Sequence, residues 1–70
     1  MVGYNVYWTK NGSDLEKVTF IMADSYEEAY DKVLRVKGGS SKIIIIRIQE
    51  YDRLSKSLMG EPVYYKQTME

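Results

Sequence analysis

The sequence predicts an α+β fold: a β-β-α-β core with a three- to four-stranded mixed or antiparallel sheet, one main helix on one face and a short C-terminal helix. Three observations carry this expectation. Val2, Tyr4, Val6 and Trp8 alternate with Gly3, Asn5, Tyr7 and Thr9 at a period of two. Tyr26, Ala29, Tyr30, Val33 and Leu34 then fall at i, i+3, i+4, i+7 and i+8, one apolar stripe on a helix. Finally, Ile43, Ile44, Ile45, Ile46 and Ile48 form a β-branched run of strand length, the pattern of a central strand covered on both faces.

The first strand ends at Lys10-Asn11-Gly12-Ser13, where Asn-Gly suits a type I′ hairpin turn because both central residues of that turn need positive φ. Strand two then runs from about Glu16 to Met22, with Val18, Phe20 and Met22 on one face and Lys17, Thr19 and Ile21 on the other. Leu15 is out of phase, which suggests a bulge or a longer loop before it. Asp24 or Ser25 caps the main helix, and Ser25-x-x-Glu28 has capping-box spacing. Acidic residues lead this helix and basic ones trail, complementing its dipole, and Gly38-Gly39 stops it. After the isoleucine strand, Asp52 is expected to cap the short second helix, with Leu54 and Leu58 four apart and Gly60 and Pro62 as its end. Val63, Tyr64 and Tyr65 add an edge strand. Residues 1–66 are expected to form one domain and 67–70 to fray.

Placing strand three beside strand one gives a sheet order of 2-1-3 with the main helix over one face. The expected core is Tyr4, Val6, Trp8, Val18, Phe20, Met22, Ala29, Val33, Ile44, Ile46 and Ile48. The other face then carries Tyr7, Thr9, Thr19, Ile21, Ile43, Ile45 and Arg47, which one helix cannot also cover. Three covers are open: the Leu54-Leu58 helix, a second copy of the chain in a homodimer, or a foreign partner.

Composition narrows the chemistry. The chain of 70 residues holds ten Lys+Arg, ten Asp+Glu, no His and no Cys. It therefore lacks the groups for a disulfide, a thiolate zinc site, a Ser-His-Asp or Cys-His nucleophile or an imidazole proton shuttle. No enzymatic activity, cofactor or metal is expected. The 44% hydrophobic and 29% charged fractions belong to a folded domain rather than a disordered one. No apolar run is long enough to span a bilayer, and Met1-Val2-Gly3-Tyr4 has no basic or apolar leader character, so the expected location is the cytoplasm.

Tyr4-x-Val6, Val18-x-Phe20 closing on Ala23-Asp24-Ser25-Tyr26-Glu27-Glu28-Ala29, Val33 with Gly38-Gly39-Ser40, and Ile44-x-Ile46-x-Ile48-Gln49-Glu50-Tyr51 together resemble the small ribosomal LX-type β-β-α-β module over about the first fifty residues. The resemblance implies the topology alone. Members of that family resemble basic RNA binders, whereas this chain has no net charge, so no RNA-binding residue is carried over. A short, tyrosine-rich chain also looks like the small open reading frames of phages.

The main functional expectation is a small non-enzymatic protein-interaction module, in one form a phage-encoded stoichiometric inhibitor or adaptor of a host protein. Its expected contact residues are Tyr7, Ile43, Ile45 and Arg47 on the sheet and the terminal Tyr64 and Tyr65. The alternative is a nucleic-acid- or ribosome-associated accessory protein using Lys32, Arg35, Lys37, Lys42 and Arg47, a run of bases with no intervening acid. With no excess positive charge, nonspecific nucleic-acid affinity should be weak at physiological salt. The carboxylate pairs Asp24 with Glu27 or Glu28, and Glu50 with Asp52, read as helix caps, and Gly38-Gly39-Ser40-Ser41 as a helix stop rather than a phosphate loop.

Overall fold

The computed structural model describes residues 1–10, 14–38 and 42–65. The elements are β1 (Val2–Lys10), β2 (Lys17–Ala23), α1 (Tyr26–Val33), a π-helical continuation over Leu34–Gly38, β3 (Ile43–Asp52) and β4 (Ser57–Tyr64). The strands form one four-stranded antiparallel sheet in the order β2-β1-β3-β4. The expected turn at Asn11-Gly12, the helix stop at Gly39 and the tail at 67–70 lie outside the described residues. Among the described residues, no helix is long and apolar enough to cross a membrane.

Reciprocal capping starts α1. The Ser25 backbone is extended and its Oγ accepts the Glu28 N–H at 3.1 Å, while Glu28 Oε1 accepts the Asp24 N–H at 2.7 Å. One turn on, Lys32 Nζ lies 3.5 Å from Glu28 Oε2. The Asp24 hydrogen bond, with added pull from Lys32, holds the Glu28 carboxyl below its ordinary value against opposing desolvation. The helix buries Ala29 and Val33 against Tyr4, Val6, Trp8, Ala23, Ile45 and Ile48. Each fully buried Val or Ile contributes about 1.5–3 kcal/mol relative to an exposed one.

The structure corrects the sequence reading in three places. The first correction replaces the second helix by a hairpin: Arg53–Lys56 is a turn and Ser57–Tyr64 a strand paired with β3. Asp52 does accept the expected kind of hydrogen bond, from Leu54 N–H at 3.0 Å and Ser55 Oγ at 3.1 Å, but in an Asx turn rather than a helix cap. Lys56, at φ 56°, closes that turn in the left-handed region, which no helix would permit. Leu54 is consequently 96% exposed rather than packed under the sheet.

The second correction inverts β2. Val6 pairs with Thr19, Tyr4 with Ile21 and Val2 with Ala23, so Thr19, Ile21 and Ala23 share the helix face. Val18, Phe20 and Met22 lie on the opposite face rather than in the core. Both residue sets are apolar, so alternation fixes the period of the strand without fixing its phase. The third correction involves a β-bulge. Tyr7 pairs with Arg47 but Trp8 with Ile45, which leaves Ile46 as an extra residue. Ile48 is on the helix face as expected, whereas on the other side of the bulge the positions facing the core are Ile45, buried, and Ile43, partly buried, rather than Ile46 and Ile44. Ile45, at 1% exposure, is a core residue and not a surface contact.

Two outcomes test this arrangement. Ile45→Ala should cost about 2–5 kcal/mol in chemical denaturation, whereas Val18→Ala should cost about 0.5 kcal/mol or less. Because the folded-state pKa of Glu28 is depressed, its contribution is present above the ordinary glutamate pKa and is lost as pH falls through the folded value. Glu28→Gln should therefore reduce the loss of urea midpoint between neutral and acidic pH; an unchanged acid limb would contradict the capping assignment.

Candidate protein-docking surface

With the helix on one side, no element of the described residues covers the other face of the sheet, and two aromatic groups organise it. Gly3 makes the first possible. An added Cβ there would lie 2.6 Å from Phe20 Cζ and 2.8 Å from the Tyr51 carbonyl oxygen, so only glycine lets the Phe20 ring fold down onto β1. The Phe20 ring meets Tyr51 edge-on, with centroids 6.0 Å apart and planes at 78°. The Arg53 guanidinium lies 5.0 Å from the Phe20 ring centroid. A groove of about 680 Å³ opens beside this group, lined by Met1, Met22, Leu54 and Met59 as well as by Gly3, Phe20 and Tyr51.

The second group follows from the bulge at Ile46, which sets Arg47 across from Tyr7 on one side and Tyr64 on the other. The Arg47 guanidinium stacks 3.9 Å from the Tyr7 ring centroid, and its Nη2 reaches Glu16 Oε2 at 3.2 Å. Tyr64 is 68% exposed beside them. Its strand is held by Gln49, whose Nε2 donates to the carbonyls of Met59 and Gly60, each at 2.8 Å. Residues 60–62 stand opposite Gln49 alone, with Gly60 at φ 67°, so β4 bulges outward and the buried Gln49 amide fills the gap.

The six expected contact residues separate. Tyr7, Arg47 and Tyr64 come together on the open face. Ile43 and Ile45 belong to the helix side, and Tyr65 packs there too, its ring 4.7 Å from that of Tyr30 and its N–H donating to the Ile46 carbonyl at 2.9 Å. Burial pushes the Tyr65 phenol pKa up, as it does that of Tyr4, where the Glu50 charge adds to the effect. Tyr51, an aromatic interface candidate by sequence, is on the open face; sequence reasoning missed Val18, Phe20, Met22 and Leu58 there, and a glycine inside a strand, Gly3, was the signal that a large ring lies over it.

The basic residues do not form one surface. Lys32 Nζ donates to the Met22 carbonyl at 3.0 Å and sits by Glu28, while Arg47 is on the opposite face with Glu16. Arg35, Lys37 and Lys42 are exposed. Among the described residues, no three acidic side chains gather as metal ligands. Asp52 is engaged by its turn, and Asp24 lies 3.9 Å from the N-terminal ammonium. Comparison of the chain with protein families, curated proteins and solved structures finds no match.

Gly3→Ala should force Phe20 off β1 and cost about 1–3 kcal/mol in chemical denaturation. A neutral effect would contradict the close approach of that ring.

Proposed function

We propose that this chain is a small non-enzymatic module that binds another protein through the open face of its sheet, acting stoichiometrically as an inhibitor or adaptor. The observation that carries the reading is an apolar face over which no element of the described residues lies. Val18 is 56%, Met22 41% and Leu58 56% exposed, next to Phe20, Tyr51 and the Tyr7-Arg47-Tyr64 group. Contiguous apolar surface rimmed by polar groups is characteristic of interaction sites. Tyrosine and arginine are among the residue types that carry most binding energy, tyrosine through a large rigid ring with a polar tip and arginine through a planar guanidinium with several hydrogen-bond donors. Here Tyr7 and Arg47 are already stacked in the free chain, which lowers the ordering cost further.

The accessory role at nucleic acid or the ribosome has less behind it. Of its five bases, Lys32 and Arg47 are held in ion pairs with Glu28 and Glu16, and they sit on opposite sides of the sheet.

Titration calorimetry distinguishes the two, using as probe the protein retained from an extract of the source cell by the immobilised chain. The combined Tyr7→Ala and Tyr64→Ala variant should weaken binding at least about tenfold, about 1.4 kcal/mol. Arg35→Ala with Lys37→Ala should leave it unchanged, and raising the salt should have little effect. The opposite pattern, steep salt dependence with open-face variants binding normally, would contradict the proposal.

A further inference from the structure

The outer edge of β2 has the hydrogen-bonding groups to pair with a second β2. The Tyr65 N–H donates to the Ile46 carbonyl, so Ile46 directs its backbone groups toward β4 and Arg47 directs its own toward β1. Tyr7, opposite Arg47, therefore faces β3, and its partner on the other side, Val18, has its N–H and C=O turned away from the sheet. The same alternation turns Phe20 and Met22 outward. Independently, Lys32 Nζ reaches the Met22 carbonyl from outside, as this alternation requires. Val18 and Phe20 thus each carry a free donor and a free acceptor on this edge, and Met22 a free N–H.

The two edges of the sheet are unlike. β4 is interrupted by the bulge over residues 60–62, with Gly60 at φ 67° and Pro62 within it, a device that prevents edge pairing. β2 runs through Lys17–Ala23 in unbroken register with β1, holds no proline and has a single charged residue, Lys17. An edge of that kind is a template for another strand.

We propose that the chain forms a symmetric dimer in which two β2 strands pair antiparallel about a two-fold axis at Thr19. In this register, the Val18 N–H and C=O exchange hydrogen bonds with the partner's Phe20, and Phe20 does the same with the partner's Val18. All the free groups of both residues are used, and the Met22 carbonyl stays with Lys32. Charge selects the direction: antiparallel pairing sets Lys17 opposite the partner's Ile21, whereas parallel pairing would bring Lys17 beside its own copy. Thr19 meets the partner's Thr19, a favourable cross-strand pair, and the open-face side chains of Val18 and Phe20 cover one another across the junction. An axis perpendicular to the sheet keeps both helices on one side, so the dimer is an eight-stranded sheet whose two open faces are continuous. The inference goes beyond the partner-binding reading and does not depend on it.

Sedimentation of the full chain over a wide concentration series, with amide exchange of the same samples followed by NMR, tests the proposal. The expected result is a concentration-dependent dimer in which the Val18 and Phe20 amides gain protection while that of Tyr64, outward on β4, does not. Val18→Pro, which deletes one free donor, and Val18→Lys, which puts a charge on the edge, should each raise the dissociation constant at least about tenfold. A monomer at every concentration would overturn the proposal, as would a dimer whose Val18 and Phe20 amides exchange as fast as that of Tyr64, or one that Val18→Lys leaves unmoved. Should Val18→Pro lose its circular dichroism, the amide exchange of the unsubstituted chain decides.

Discussion

Among the described residues, one helix of eight residues with a π-helical continuation must serve a sheet that is apolar on both sides, and this constraint governs the molecule. A helix covers one face only, so each strand has to resolve which of its two apolar sets goes beneath it. In β2 the smaller set wins: Ala23 is fully buried, and Thr19 is fixed by accepting a hydrogen bond from Trp8 Nε1 at 2.9 Å. The bulkier Val18, Phe20 and Met22 go to the other side, where the missing side chain of Gly3 leaves room for the largest of them. The uncovered face is thus the remainder of a packing problem solved on the helix side.

Two irregularities convert that remainder into an organised surface. The extra residue at Ile46 lets Ile45 and Ile48 both point at the helix while Arg47 points away from it, toward the ring of Tyr7. The wider bulge in β4 would leave a hole in the sheet were it not filled by the Gln49 amide, which satisfies two carbonyls at once. Together they hold Tyr64 beside Arg47. The same β4 bulge breaks up one outer edge of the sheet, while β2 at the other edge stays regular.

Much of this was legible in the residues. The β1 alternation, the Ser25-Glu28 cap and the stripe from Tyr26 to Leu34 were each local signals that the tertiary structure respects. What was not legible was phase. In Val18-Thr19-Phe20-Ile21-Met22 and in the isoleucine run, neighbouring positions are nearly equal in hydrophobicity, so the choice of face rests on contacts with elements distant in sequence. One bulge then reversed the assignment for half of β3, which is why Ile45 moved from candidate contact to core. The segment after Asp52 failed for a different reason: aspartate caps helices and Asx turns with the same side-chain oxygen, and Leu54 and Leu58 suit either outcome by spacing alone.

The account therefore stands on which side chains water reaches. Attenuation of methyl signals by a soluble paramagnetic probe, read on dilute protein, measures this directly. The methyls of Val18, Met22 and Leu58 should be strongly attenuated and those of Val33, Ile45 and Ile48 spared. Sparing of Val18 and Met22 together with attenuation of Ile45 would mean that the sheet buries its other face, and the proposed docking surface would be lost with it.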